Sequence, residues 1–557
     1  MNQYDVAIIG SGIAGSALAS ILARHGKRVI VLEAGSHPRF AIGESMILET
    51  SEVMRTLAEL YSVPELAYFS SENYFGHIGT QHGVKRHFSY LHHSSAQTHD
   101  LAKTLQAVIP KQPHGHELHL YRQDVDAFLA NTAVSYGATL LQSTPVTQVE
   151  FSDDGVTIAA GGQTYQAEYV VDGAGFRSPL AEKFGLRTFD LKTHSRAIFT
   201  HVIDLKCVHE TGPTRQDYAL PFKLSEGTLH HVFEGGWLWV IPFNNYQAST
   251  NPLASVGLML DPRVHPKRDE LSAEDEFFDF INHFPTIAAQ FESAKAVRPW
   301  TRTGRIQYAS KQIVGDRWAL LGHAAGFVDP LYSKGLYSSF TAVSVLAHLL
   351  LSAEGDYSRE IFMPLEHKTL AFLRANDRLV ANSYKSFSDH KLWQAYSVLW
   401  LLGAYTELVK LMSARARSKT RAEYYADTAC LELAGGGFEN FIELAGQIDG
   451  RLERLDLKDA AEVAQWQKQT RTLLHQTDWT PQAFRDVLTG KNHLPRRKLR
   501  LGLLKKGGGF LGRGSYRTHF FGRAAAPELV RSFLGERLRY SSLNLRRRAR
   551  KRRMDAL

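Results

Sequence analysis

The first 33 residues constrain this chain more than any other stretch. Val6-Ala7-Ile8-Ile9 reads as a short apolar strand and Gly10-Ser11-Gly12-Ile13-Ala14-Gly15 as a turn. An Ala/Leu-rich segment then predicts a helix to about His25, and Arg28–Leu32 a second strand that ends at Glu33. The order is β-α-β, with G-x-G-x-x-G between strand and helix and an acid about 20 residues further on. Gly10, Gly12 and Gly15 let the backbone approach a pyrophosphate. The amides at the helix start, around Ile13 and Ala14, donate to it, and the Glu33 carboxylate accepts from a ribose hydroxyl. The expected fold class is α/β, opening on a Rossmann-type dinucleotide unit.

Beyond this unit, mixed strand and loop patterns run to about residue 310, and Ala197-Ile198-Phe199 and Leu238–Ile241 read as sheet segments of a substrate-covering layer. Strand, Gly-rich turn and long helix return over 315–353, and from 361 to 490 the periodicity is mostly helical. Leu336–Ala353 is the longest uncharged stretch, but four Ser and one His within it favour a buried helix over a membrane span. Leu392–Tyr405 is shorter and reads the same way.

Charge is unevenly placed. The 557 residues carry a net +9, yet residues 491–557 alone hold 20 Lys and Arg against Glu528, Glu536 and Asp555, a net +17 that leaves the body at −8. The tail, with Arg546-Arg547-Arg548-Ala549-Arg550-Lys551-Arg552-Arg553, suits an acidic partner such as an anionic membrane surface or an acidic protein face. No stacking aromatics accompany these arginines, so nucleic acid is not expected. Cys207 and Cys430 are the only cysteines, which excludes a disulfide framework and a tetrathiolate metal site and points to a reducing compartment. Met1-Asn2-Gln3-Tyr4-Asp5 has no cationic leader and runs straight into a strand, so the expectation is a cytoplasmic protein.

Further motifs narrow the cofactor. Arg39 and Gly43-Glu44-Ser45 follow the second strand, Tyr121-Arg122-Gln123-Asp124 opens a helix, and Val170-Val171-Asp172-Gly173-Ala174-Gly175 is a strand ending in a tight turn. Trp318–Leu321 runs into Gly322-His323-Ala324-Ala325-Gly326-Phe327-Val328-Asp329-Pro330. Over residues 1–350 this set resembles the FAD-binding framework of the flavoprotein monooxygenases and their relatives. The resemblance implies FAD, held by Gly10, Gly12, Ile13, Ala14, Gly15, Glu33, Arg39, Glu44, Ser45, Arg122, Asp172, Gly173, His323, Gly326, Asp329 and Pro330. NAD is the poorer reading. One position departs from the framework: its usual Asp after the glycine of the third motif is His323 here.

Trp237-Leu238-Trp239-Val240-Ile241-Pro242 matches W-x-W-x-I-P. Joined to the FAD framework, it resembles the flavin-dependent halogenases. Tryptophans at i and i+2 point to one face of a strand, where Trp237 and Trp239 would wall an organic substrate off from the flavin. Pro330-Leu331-Tyr332-Ser333-Lys334-Gly335-Leu336 resembles the halogenase turn that holds a halide on backbone amides, which assigns Ser333, Lys334 and Gly335 to the halide. Tryptophan halogenases carry an acid at the Tyr332 position, so this chain is expected to take a phenol, pyrrole or other electron-rich ring. Lys85 lies where the family places the lysine that positions hypohalous acid, although the usual local spacing is not reproduced and a solvated strand lysine is the competing reading.

The resemblance thus implies that reduced FAD and O2 oxidise a halide, and that Lys85 presents the product to an aromatic substrate that is free or tethered to an acyl carrier protein. A separate flavin reductase would supply the reduced FAD. A hydroxylase or reductase on the same scaffold is the alternative, as is a flavin-binding adaptor whose basic tail is the function. Pro113-His114-Gly115-His116-Glu117-Leu118-His119 has metal-like spacing but no second ligand cluster, and reads as a polar strand or loop. The expected organisation is an FAD-binding domain over 1–360 with the substrate-covering sheet interleaved at about 190–310, a helical region over 361–490 that closes the substrate pocket, and a basic tail over 491–557.

Overall fold

A computed structural model describes residues 3–110, 115–429, 435–477, 479–480 and 482–488, with Leu534 and Leu538 beyond them. The rest of the basic tail, Cys430 and the Pro113-His114 pair lie outside the described residues.

The opening unit is a strand Gln3–Ile9, a helix Ile13–Arg24 and a strand Val29–Leu32. The first strand is the centre of an eight-stranded sheet, flanked in parallel by Gln163–Asp172 and Val29–Leu32; Thr139–Leu141 and Trp318–Leu320 extend it in parallel on either side. Strands buried on both faces read as continuous apolar runs, and Val6, Ala7, Ile8 and Ile9 are all buried. The register aligns Ile9 with Leu32 on one side and Asp172 on the other, so three strand ends open onto the same edge. Ligands sit outside the carboxyl ends of strands in such sheets.

A second eight-stranded sheet runs Lys295–Ala296, Arg196–Ile203, Ala254–Leu260, Gly236–Pro242, Thr228–Phe233, His87–His92 and Thr104–Val108, with Thr301–Arg302 also on Arg196–Ile203. It starts earlier in the chain than the periodicity over 190–310 suggests. Thr228–Phe233 pairs in parallel with His87–His92, a long-range pairing that local alternation does not signal. Its two faces enter different cores. Trp237, Trp239 and Ile241 join the main core, whereas Leu238 and Val240 pack with Phe277, Ile287 and Phe291 on the far side. The period-two arrangement expected of the tryptophan pair is therefore present.

Helices cover the Trp face. Arg359–Ser386 and His390–Arg417 reach it through Tyr384, Trp393 and Trp400 and pack on each other, Lys334–Ser352 packs on Arg359–Ser386, and Arg421–Thr428, Glu439–Arg454, Ala460–Gln476 and Gln482–Leu488 follow. Among the described residues Lys334–Ser352 is long and apolar enough to cross a membrane, but 67% of its apolar window is buried inside the molecule.

Candidate active site

The site is built where the first sheet's strand ends, the second sheet's Trp face and the start of helix Lys334–Ser352 meet. At the Rossmann edge, Gly10 adopts φ +93°, and a Cβ there would meet Gly173 O at 3.0 Å. A Cβ at Gly15 would lie 2.3 Å from Gly10 O, so that glycine lets helix and turn touch. A Cβ on Gly12 meets only the Arg39 guanidinium tip, at 3.8 Å, leaving an open cradle. Gly12 caps the helix without a side-chain hydrogen bond, which leaves the first-turn amides at Ile13 and Ala14 available to an anion. Glu33 accepts from the Ser11 amide and hydroxyl, both at 2.8 Å, from the Gly35 amide at 2.9 Å and from Arg39 at 3.2 Å. Burial works against its charge, but these donors keep its carboxyl below the usual range.

Further in, the buried polar atoms Glu44 Oε2, Arg39 Nε and His323 Nε2 have no hydrogen-bond partner. Glu44 Oε1 bonds His201 Nε2 at 2.8 Å. His323 stands against Gly335, whose added Cβ would meet its Nε2 at 3.0 Å. Burial, with Arg122 nearby, lowers the His323 imidazole to about 4, so it is neutral at pH 7. An open glycine cradle, free helix-start amides and unpartnered polar atoms suit a dinucleotide cofactor such as FAD.

Several residues assigned to the cofactor instead spend their side chains inside the fold. Asp172 accepts from the Ala174 amide, the Ser178 hydroxyl and the Leu180 amide, and so shapes the turn at Gly173. Arg122 pairs with Asp126 and donates to the carbonyls of Ile42 and Gly43, fixing the loop that carries Glu44. The space beside Gly326 is filled by Leu373 and Tyr308, so its smallness serves packing. Asp329 accepts from Ser195, the Leu331 amide and Tyr384, and burial raises its carboxyl to about 6. Ser45 turns away from the cofactor edge toward Lys85 and Thr228.

The solvated-lysine reading of Lys85 does not hold, because the residue is fully buried. Its Nζ donates to Ser45 Oγ at 2.7 Å, to Met46 O at 2.9 Å and to Ser333 Oγ at 3.5 Å, and sits 3.5 Å from the centre of the Phe88 ring. Burial destabilises the ammonium and holds Lys85 well below the ordinary lysine range, with Glu117 and Glu49 acting in the opposite direction. Ser333, accepting the longest of these bonds, has left-handed φ +56° and ψ +28°, and its amide donates to Pro330 O at 2.9 Å. Non-glycine residues held in this region concentrate at functional turns. Here the turn brings Ser333, at the start of helix Lys334–Ser352, beside Lys85.

The Lys334 side chain points the other way, into the protein. It donates to Glu49 at 2.8 Å and Glu407 at 3.2 Å, and Tyr337 donates to Glu407 at 2.8 Å. Burial opposes its charge, but the two carboxylates hold it above the ordinary lysine range. Only its backbone faces the turn.

Above Lys85 lies an aromatic layer. Tyr332 stacks on Trp400 at 4.5 Å, and Phe88 and Tyr90 meet Trp400 edge-on at 5.3 and 5.7 Å. The Tyr332 hydroxyl shares a hydrogen bond with Ser383. Trp237 lies 5.8 Å from Trp239, and its indole N–H donates to the Tyr384 hydroxyl. Gly257 makes room for the Trp239 ring, since a Cβ there would fall 2.1 Å from it. Tyr384, Trp400 and Glu407 come from the helical region and carry no motif. The nearest sequence signal is Glu407 as a lone acid after the apolar run Leu392–Tyr405. Within the Pro113–His119 segment, read as a polar strand or loop, Glu117–His119 is a strand, buried and paired with Gly83–Lys85. His119 bonds Pro242 O and Thr228 Oγ1, which engages both ring nitrogens within the protein.

Comparison with known proteins gives this arrangement its family. Residues 3–362 match the FAD binding domain family. The chain is 44% identical over 425 residues to the monodechloroaminopyrrolnitrin halogenase PrnC of Pseudomonas fluorescens, covering 75% of this chain and 74% of that one. It is 41% identical over 436 residues to the tetracycline 7-halogenase of Kitasatospora aureofaciens, covering 77% and 78%. The crystal structure of the halogenase PltM in complex with phloroglucinol and FAD superposes with a TM-score of 0.83 at 31% identity, covering 88% of this chain and 99% of that one. With an FAD domain over most of its length and halogenases as relatives along both domain and helical region, the chain belongs to the flavin-dependent halogenases, FAD-dependent oxidoreductases of secondary metabolism.

Proposed function

We propose that the chain halogenates a free, electron-rich aromatic, of phenol or pyrrole type, with Lys85 presenting the oxidised halogen and the turn at Ser333 holding the halide through the backbone amides of Lys334 and Gly335, the Ser333 amide being spent on Pro330 O. The observation that carries this reading is the 3.5 Å approach of Lys85 Nζ to Ser333 Oγ, which joins a fully buried amine to a half-buried turn 248 residues away in sequence. Bound reduced FAD supplies, with O2, the oxidising power that turns halide into hypohalous acid. Gly10, Gly12, Gly15, the amides at Ile13 and Ala14, and Glu33 hold its dinucleotide part. Glu44, Arg39 and His323 offer it their unpartnered polar atoms. Trp237 and Trp239 wall the organic substrate from the flavin, and the dry surroundings of Lys85 keep water from consuming the oxidant.

A free small molecule is favoured because two relatives above 40% identity are named for free compounds, PrnC for monodechloroaminopyrrolnitrin and the other for tetracycline. A carrier-bound substrate is the second reading: a 1H-pyrrole-2-carbonyl-[peptidyl-carrier protein] chlorinase of Pseudomonas fluorescens is 26% identical over 379 residues. The +17 segment 491–557 would serve that reading by meeting an acidic carrier face, or would meet anionic lipid at the cytoplasmic side of a membrane. Reduced FAD would come from a separate reductase.

The test mixes reduced, FAD-loaded protein with O2, with and without bromide, and with a chemical trap for hypohalous acid. Bromide-dependent trapping is expected from the wild type and from Lys85→Ala, while halogenation of a simple phenol is lost only in the variant. An empty trap and halide-indifferent flavin reoxidation would overturn the assignment of the turn. Full phenol halogenation by Lys85→Ala would overturn that of the lysine.

A further inference from the structure

We propose that Glu117 is the positioning residue that keeps a proton on Lys85, its partner across the two-stranded ladder. The inference rests on the role of Lys85 given above. Gly83–Lys85 and Glu117–His119 pair antiparallel with Lys85 opposite Glu117. Directly opposed residues project to the same face with Cβ atoms about 4.5–5.5 Å apart. Both side chains are buried, at 0% and 1% exposure.

The three hydrogen bonds from Lys85 Nζ go to two hydroxyls and a carbonyl, none of which is charged. An ammonium in a dry interior needs a counter-charge nearby, and the neighbouring elements narrow the choice. Helix Leu48–Leu60 presents Glu49 and Arg55, and Arg55 pairs with Glu52. Glu49 is engaged by Lys334, the cation of the next helix, which also binds Glu407 of the helical region. On the sheet side, burial lowers His87, His119 and His230 to about 3, so they are neutral. Glu117 remains, its Oε2 accepting from the Ser51 hydroxyl at 2.5 Å. Burial lifts its carboxyl to about 7, against the opposing pull of the Ser51 hydrogen bond, Arg55 and Lys85.

Halogen transfer gives this pair a task. In Ar–H + X–OH → Ar–X + H2O the O–X bond breaks, the new C–X bond forms, and the departing oxygen must gain one proton while the ring carbon loses one. Lys85 lends the proton to the oxygen, and the ring proton returns to the amine, so none is consumed. The Glu117 carboxylate favours the ammonium at the start and end of that cycle.

The test uses the full chain labelled with [ε-13C]lysine, with the Lys85 resonance assigned by its loss in Lys85→Arg. In Glu117→Gln the Lys85 amine should titrate lower by about one pH unit, a tenfold change in its proton equilibrium. The alkaline limb of phenol halogenation should move down with it, and Glu117→Asp should restore both in part. Ser51→Ala, which takes a donor from the carboxylate, should move the titration the same way and serves if Glu117→Gln fails to fold. An unchanged Lys85 titration in folded Glu117→Gln would overturn the proposal, as would lower activity with an unmoved pH profile. Halogenation that survives in Lys85→Ala would instead overturn the role of the lysine.

Discussion

The indole N–H of Trp237 donates to the Tyr384 hydroxyl at 3.0 Å, and that hydroxyl donates to Asp329 Oδ2 at 3.0 Å. The second sheet is thus tied through the helical region to the residue at the head of the Pro330–Leu336 turn. Asp329 in turn holds the Leu331 amide at 3.0 Å, so the indole and the turn share one buried network.

Removing the middle member leaves both ends unsatisfied. Tyr384→Phe keeps the ring and strands the indole N–H and one carboxylate acceptor site, at a cost of about 1–3 kcal/mol for a buried group left unpaired. Urea unfolding should show that loss. A double-mutant cycle with Trp237→Phe should show coupling of the two costs. Additive costs would mean that the bond carries no shared energy.

Lys334 is expected to matter more for the fold than its place in the turn suggests. Lys334→Met leaves Glu49 and Glu407 buried without their cation, a loss of about 3–5 kcal/mol on breaking a buried pair. Adding Glu49→Gln and Glu407→Gln should recover much of it. Urea midpoints of the single and triple variants check this, and a single variant as stable as wild type would contradict the ion-pair account.

Acid should unfold the protein from about pH 6.5 downward. Burial lowers the imidazoles of His82, His87, His99, His119 and His230 to about 3 and that of His231 to about 4. A histidine with a depressed folded value stays neutral in the fold and charges in the unfolded chain. Its stabilisation is full above the unfolded value near 6.5 and is lost as pH falls, by about 1.4 kcal/mol per pH unit for each group. Glu117 and Asp329, raised to about 7 and 6, act oppositely: their contribution is full below about 4 and declines as pH rises through 4 to 7. Six imidazoles outweigh two carboxyls, so the urea midpoint should fall between pH 7 and pH 5. A flat or rising midpoint would refute the balance.

Local spacing made the βαβ unit legible, because its turn, helix start and acid all lie within 33 residues. The Trp pair was legible for the same reason, since period two decides which face a strand residue takes. What surrounds Lys85 was not. Its surroundings include Ser45, Ser333 and Glu117, brought together by the antiparallel ladder of Gly83–Lys85 with Glu117–His119 and by a helix start almost 250 residues away, and no local pattern encodes such contacts. Glu117 stood in a segment whose histidines suggested metal, while its actual neighbour was a lysine 32 positions earlier. Asp172, Asp329 and Arg122 sit in cofactor motifs, yet turn geometry rather than motif membership decides where their side chains go.

The glycines of the opening turn separate folding from cofactor retention. Gly15→Ala drives a methyl to 2.3 Å from Gly10 O, backbone that cannot give way, so helix Ile13–Arg24 must lift from the turn. Thermal unfolding should drop and FAD binding should go with it. Gly12→Ala places its methyl in the open cradle with only the Arg39 tip at 3.8 Å, so the apoprotein should melt as wild type does. The same methyl stands where the backbone must meet a pyrophosphate, and FAD affinity should fall by tenfold or more in a flavin fluorescence titration. If Gly12→Ala binds FAD as tightly as the wild type, the cradle between Gly10 and Gly15 is not where the pyrophosphate rests.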